Sequence, residues 1–298
     1  MIRNKIWFVV LLLPALAWGA APGTTALAFL KIGVGARSAG MGDCGIALCE
    51  DATATYWNPA RLLSFRAQKV ALGHNQWMQG VRYEQASWAA STGGIALGFA
   101  ASGLYVTDLE LREGATELPL ETFSAYDLSF GVSLAMRFGT SLQTGLTYKR
   151  LYERIYVDHG TGWAWDVGAA YETPFSGLQV AGVIADIGPK FKLVQQGYKL
   201  PTTFKLGLGY KPQQTIWRGR GSAGLELVKA IDNDLKVNLG GEYWYREKIA
   251  LRAGYKFRSD TEALTTGAGF RVGKIILDYA FVPNRLGSTH RAGLGYSW

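Results

Sequence analysis

From about residue 67 to the end of the chain, apolar residues alternate with small or polar ones at period two. That period belongs to strands with one face in an apolar environment. The clearest run has Tyr126, Leu128, Phe130, Val132, Leu134, Met136 and Phe138 interleaved with Asp127, Ser129, Gly131, Ser133, Ala135 and Arg137. The same alternation sets Trp163, Trp165, Val167 and Tyr171 against Ala164, Asp166, Gly168 and Ala170, and Leu251, Tyr255 and Phe257 against Arg252, Gly254 and Lys256. Fourteen such segments fit between residues 67 and 298, among them 67–75, 93–103, 124–138, 140–155, 160–172 and 289–298. Most are long enough for a tilted strand to cross a bilayer, which takes about 9–11 residues, where strands of soluble proteins average about 5–6. The fold expected is an all-β, 14-stranded antiparallel transmembrane β-barrel. A soluble sandwich or propeller carries the same alternation but needs no outward apolar row on every strand.

The connections agree with a barrel. Links 104–123, 156–159, 188–200 and 283–288 follow odd-numbered strands and are longer, whereas those after strands 4, 10 and 12 are two residues or fewer. That is the rhythm of external loops and periplasmic turns, with both termini on the periplasmic side. The 38 glycines then have a use. Gly98, Gly131, Gly145, Gly168, Gly207, Gly209, Gly240, Gly254, Gly267 and Gly293 fall on the inner face, where a missing side chain leaves room for a lumen or a plug. The last strand carries Ala292, Leu294, Tyr296 and Trp298 on one face. Tyr296 and Trp298 give the aromatic ending common in bacterial outer-membrane barrels, with the barrel assembly machinery and outer-membrane lipid as the implied partners.

Residues 1–21 read as a secretory signal: Arg3 and Lys5, an apolar run from Ile6 to Trp18, then Gly19, Ala20 and Ala21, with cleavage expected near Ala20 or Ala21. Losing the signal takes the formal charge from +8 to about +6, without Lys/Arg runs, so nucleic acid is not an expected partner. Three histidines and two cysteines leave little for a metal cage or a His-based catalytic centre, and no enzyme, metal or cofactor is expected. An oxidising compartment would permit a disulfide between Cys44 and Cys49, although their spacing on a regular helix would point them apart.

Residues 22–66 break the alternation and look like short helices and turns. The stretch Ile32-Gly33-Val34-Gly35-Ala36-Arg37-Ser38-Ala39-Gly40-Met41-Gly42-Asp43, followed by Asp51-Ala52-Thr53-Ala54-Thr55-Tyr56-Trp57-Asn58-Pro59-Ala60, resembles the PorV/PorQ family of outer-membrane proteins, a branch of the FadL-type barrels. The likeness is specific over residues 29–64 and returns at Asp278–Pro283 and Gly287–Arg291. It implies that residues 22–66 fold into the lumen of the 67–298 barrel as a hatch, with Asn58 and Pro59 in its Asn-Pro-Ala element. The chain departs from the family pattern at Cys44, Cys49 and Arg61.

The glycines at 33 and 35 look superficially like a phosphate loop, but no Lys-Ser/Thr or βαβ unit accompanies them. A hydrolase triad from Ser288, Thr289, His290 and Asp278 lacks a nucleophile motif. Glu50 and Asp51 lack the further oxygen ligands of a calcium site, and a capping role for Asp51 suits the short helix that follows. Arg82, Glu84, Asp127, Arg137, Lys149, Asp166, Lys205, Glu226, Lys236, Glu242, Arg252, Arg271 and Asp278 are expected to point inward, where Arg37, Asp43, Glu50 and Asp51 of the hatch would pair with them. The resemblance implies one of two functions in the outer membrane. One is support of protein secretion or surface attachment, with secretion components of the type IX kind or exported clients as partners. The other is a FadL-type channel for hydrophobic small molecules.

Overall fold

The protein is described by a computed structural model covering residues 22–77, 80–259, 262–285 and 287–298; the signal-segment reading of 1–21 lies outside the described residues. Fourteen strands close into an antiparallel barrel. In chain order the strands are β1 (Gln68–Gln76), β2 (Arg82–Ser91), β3 (Ile95–Leu111), β4 (Glu121–Phe138), β5 (Leu142–Ile155), β6 (Asp158–Glu172), β7 (Leu178–Ile187), the small hairpin β8 (Phe191–Leu193) and β9 (Gln196–Tyr198), β10 (Thr203–Tyr210), β11 (Gly219–Ala230), β12 (Lys236–Tyr245), β13 (Ile249–Phe257), β14 (Leu264–Val272), β15 (Ile275–Val282) and β16 (Thr289–Ser297). β16 pairs with β1 from Lys69↔Ser297 to Gln76↔His290, so the sheet has no edge. Trp298 and Gln68 exchange backbone hydrogen bonds of 3.1 and 3.3 Å at the rim where the closure ends.

Parity along the strands is as the alternation requires. Leu134 and Leu251 stand 56% and 63% exposed on the outside, while Ala135 and Arg252, one residue along, are buried. Apolar side chains on a continuous outer band are stable only against lipid. Arg82 and Glu84 depart from the expected inward set. They sit on the outer face of β2, where Glu84 pairs with His74 of β1 at 2.7 Å, because Tyr83 and Gln85 take the inward positions.

The external end differs more. The expected loop 104–123 is mostly sheet: past a bulge between Val106 and Leu109, β3 and β4 stay paired to Leu111↔Glu121, giving strands of 17 and 18 residues. The link 156–159 contracts to a turn at Tyr156 and Val157, since Ile155 pairs with Asp158. Aromatic cross-strand neighbours support this extension, with Tyr105, Tyr126 and Tyr152 stacked at 6.4 and 5.9 Å. β3 to β6 thus rise as a tab beyond the length a bilayer needs.

Residues 22–66 do enter the lumen, but their start is at the far end from the tight turns. Thr25 bridges Lys199 in the β9–β10 link, and both Thr25 and Lys31 bond Asp232 in the β11–β12 link at 2.7 Å. The chain then descends to Pro59–Ser64 beside β3 to β6, and exits at Phe65 into β1. The expectation that both termini lie at the periplasmic rim holds for the C-terminus, whereas the first described residues lie at the opposite end of the barrel. A cysteine replacing exposed Thr24 is expected to react on intact cells with a polymer-linked maleimide too large to cross the outer membrane; labelling only after permeabilisation would place this end in the periplasm.

Candidate functional site: the hatch and its lumen

The hatch carries few elements of its own: the helices Ala36–Gly40 and Ala54–Trp57 and the 3-10 segments Ala28–Lys31 and Pro59–Ser64. Helices of four or five residues are not stable alone, so wall contacts and internal side-chain bonds fix this segment. The Trp57 indole donates to the Val34 carbonyl at 2.9 Å and the Tyr56 hydroxyl to that of Leu30 at 3.1 Å. Asn58 is fully buried: its amide donates to the carbonyls of Ile46 (3.0 Å) and Ala169 on β6 (3.2 Å), and its oxygen accepts from the Ala60 amide at 3.0 Å. Pro59 follows as the first residue of the 3-10 segment, where its missing N–H costs nothing.

Inner-face glycines let backbone meet backbone. A Cβ on Gly145 would lie 2.4 Å from Pro59 and Ala60, one on Gly240 2.0 Å from the Met41 carbonyl, and one on Gly254 2.1 Å from the Gly42 amide. None of these positions has space for alanine. Of the inner glycines expected to face a plug, Gly131 alone contacts only neighbouring strands.

The lumen divides into two unlike halves. Against β1 to β7 the hatch presents Ile46, Trp57, Leu62, Leu63 and Phe65 to a wall of Ala71, Ala89, Ala96, Ala135, Ala170 and Ala181. The ion pairs of Lys149 with Asp166 and Asp186 at 2.7 Å lie within the wall itself on this side, where Lys69 and Arg137 donate to the hatch carbonyls of Glu50 (2.7 Å) and Leu63 (3.2 Å). Against β12 to β16 the contacts are ionic. Arg37 donates twice to Glu242, at 3.0 and 2.8 Å, and Arg252 extends the chain to Glu242 (2.7 Å) and Asp278 (2.8 Å). Asp43, in the left-handed region at φ 61°, reaches Lys256 at 2.5 Å, and Lys256 also holds Glu262 at 2.6 Å. Arg291 donates to the Gly33 carbonyl at 2.9 Å. Between the halves, Lys205 lies over the rings of Tyr56 and Trp57 at 5.1 and 5.2 Å, a cation–π contact from wall to hatch.

Three of the four expected hatch charges, Arg37, Asp43 and Glu50, thus pair with residues of the barrel. Asp51 does not: its carboxylate accepts from the Thr53 amide at 2.8 Å and from the Thr53 hydroxyl at 2.5 Å, a local turn leading into Ala54–Trp57. Glu50 beside it makes its ion pair with Lys211. Lys256, Glu262 and Arg291 are partners absent from the expected inward set; for Lys256 and Arg291 the signal was present, since both alternate with outward residues. The imagined triad is not assembled. Asp278 faces the lumen, while His290 stands on the outer face bonded to the Tyr279 hydroxyl at 2.6 Å.

Cys44 and Cys49 are free thiols, not a disulfide. Their sulfurs have separate partners: Cys44 faces the Gly224 carbonyl at 3.6 Å, and Cys49 lies 3.2 Å from the Thr53 hydroxyl. Burial pushes both thiols up, that of Cys49 to about 12 with the Asp51 charge adding to it, so neither has thiolate character at neutral pH. Alkylation of the folded protein is expected to be slow at both, with two thiols titrating after denaturation and no mass change on reduction.

Burial pushes the Asp43 carboxyl up, but Lys256 and Arg291 outweigh it and hold it below the usual range; for Glu50, Lys211 and Arg37 do the same. With folded-state pKa values below unfolded ones, both groups contribute fully above about pH 4, and that contribution is lost as pH falls toward the folded values. Bilayer conductance is therefore expected to stay flat from neutral pH down to about pH 5 and to rise only below about pH 4. A rise between pH 6 and 7 would contradict the ionic lock.

The family of the type IX secretion system protein PorV matches residues 20–81, the hatch together with the first strand. No curated protein sequence gives a significant match. Among solved structures, the Ralstonia pickettii toluene transporter TbuX is 15% identical, with 89% of this chain and 98% of that one covered and a TM-score of 0.59. The CymD monoaromatic hydrocarbon channel is 15% identical over 89% of this chain and 96% of that one, at 0.62. A Pseudomonas aeruginosa FadL homologue is 11% identical over 89% and 95%, at 0.56. At such identities the structural likeness speaks for the fold, and the hatch carries the family signal. The chain has the fold of the FadL-type outer-membrane β-barrels, and its residues 20–81 match the family of the type IX secretion system protein PorV.

Proposed function

We propose that this barrel is a non-enzymatic, closed scaffold that supports protein secretion or surface attachment, rather than a conduit for hydrophobic small molecules. The observation that carries this reading is the ionic lock between the hatch and β12 to β16, centred on Arg37–Glu242–Arg252. A hydrophobic solute crossing that half of the lumen would have to separate buried ion pairs, at about 3–5 kcal/mol for each broken pair. The wall gives no support for a sideways exit either, because backbone pairing joins every neighbouring strand round the barrel. The β3–β6 tab, with Leu118 and Leu120 exposed at its crest, is the surface on which an exported protein or a secretion component would dock.

The intact protein is expected to be nearly silent in planar bilayers, and a variant lacking residues 22–60 to form a folded barrel of large conductance. The intact protein should co-purify a protein partner from native membranes, lose it when residues 109–121 are replaced by a short turn, and leave uptake of an aromatic hydrocarbon unchanged. Uptake that depends on this chain, with no partner recovered, would favour the hydrophobic channel.

A further inference from the structure

Below the hatch, on its ion-paired side, lies a cavity of about 750 Å³ that reaches the periplasmic rim at Pro212 and Lys274. Its volume is in the range of ligand pockets, roughly 300–1,000 Å³. Its lining is not apolar, and its charges are unbalanced. The carboxylates in its wall are each engaged: Glu242 by Arg37 and Arg252, Asp278 by Arg252, Glu50 by Lys211, Asp51 by Thr53, and Glu247 by Arg220 at 3.7 Å. The donors are not all used. Arg252 is 4% exposed, and its Nη2 has no hydrogen-bond partner among the described residues; the buried Ser222 hydroxyl oxygen has none either, nor has the Asp278 oxygen that ion-pairs with the Arg252 Nη1 at 2.8 Å. Nearer the mouth, Arg271 stacks on Trp244 at 4.7 Å, and neither Arg271 nor Lys274 has a carboxylate within 4.0 Å among the described residues. A buried guanidinium nitrogen without an acceptor calls for an oxyanion. The cavity is larger than one inorganic oxyanion fills, and the Trp244 ring in the same lining is an apolar surface that a bare ion would not use.

We propose that this vestibule is a binding site for an acidic stretch of polypeptide presented from the periplasm, its carboxylates meeting Arg252, Arg271 and Lys274 and its chain lying across Trp244. The site is separate from the external tab and stands whether or not that surface has a secretion role.

The test is fluorescence anisotropy of a labelled hexaglutamate peptide with the full-length barrel in a neutral detergent. Saturable binding that weakens with added salt is expected, with none for hexalysine. The Arg271→Ala/Lys274→Ala variant, altered only at exposed positions, should bind about tenfold or more weakly for the loss of its charge-assisted bonds. Heat-modifiable migration on SDS gels shows that each variant is folded, and Arg154→Ala on the outer face should leave binding unchanged. Absence of saturable binding, equal affinity in the double variant, or displacement of the peptide by inorganic phosphate at matching concentration would overturn the proposal, the last by revealing a pocket for a single small anion.

Discussion

A closed ring of fourteen strands encloses more space than its own inward side chains fill, and this constraint governs the rest of the molecule. The solution is to fold the chain's own first segment into the gap. Because the wall has no edge, the hatch cannot join it by backbone pairing. It is held by whatever the inner face offers: alanine and glycine against β1 to β7, and charge against β12 to β16. The two halves differ in kind. Shape complementarity excludes water on one side, while the other keeps cavities at both ends because paired charges tolerate nearby water better than packed methyls do.

This asymmetry explains why single inward charges are not scattered evenly. An isolated ion inside a confined lumen is costly, and the partners are arranged as clusters that share charges, as Glu242 does with Arg37 and Arg252 and Lys149 with Asp166 and Asp186. Asn58 performs the same accounting for the backbone. It satisfies carbonyls of Ile46 and Ala169 where the hatch passes from the polar to the apolar side, with the Gly145 and Gly168 surfaces cleared for it and Pro59.

Much of this was legible in the sequence. Period two set the inner and outer faces, and the inner glycines marked where a second chain segment would press, since a glycine row has no other use in a strand. Arg37 and Asp43 were readable as partners for wall charges because the hatch has no solvent to put them in. The failures also have physical causes. Asp51 was assigned a wall partner, but an Asp two residues before an amide is satisfied locally at less entropic cost. Arg82 and Glu84 break the apolar outer row near the external interface, where polar atoms on the outer face are tolerated, so their charge alone did not place them. The loop 104–123 became sheet because cross-strand aromatic pairs continue beyond the membrane's thickness, a pairing that no local pattern displays. The site of Thr25 depends on contacts with residues 199 and 232, far along the chain.

The route of residues 22–31 also orders the events of folding. To bring Thr25 beside Lys199 and Asp232, the first segment must run the whole length of the lumen from β1, a path laid down at less cost before the ring shuts than by drawing Phe29, Leu30 and their neighbours through a finished barrel. The final step is then the pairing of β16 with β1, the neighbouring strands most distant in sequence and the last that loop-closure entropy allows to form. The circumference is set by the strands' own pairing, and the hatch takes the path that the closed ring leaves it.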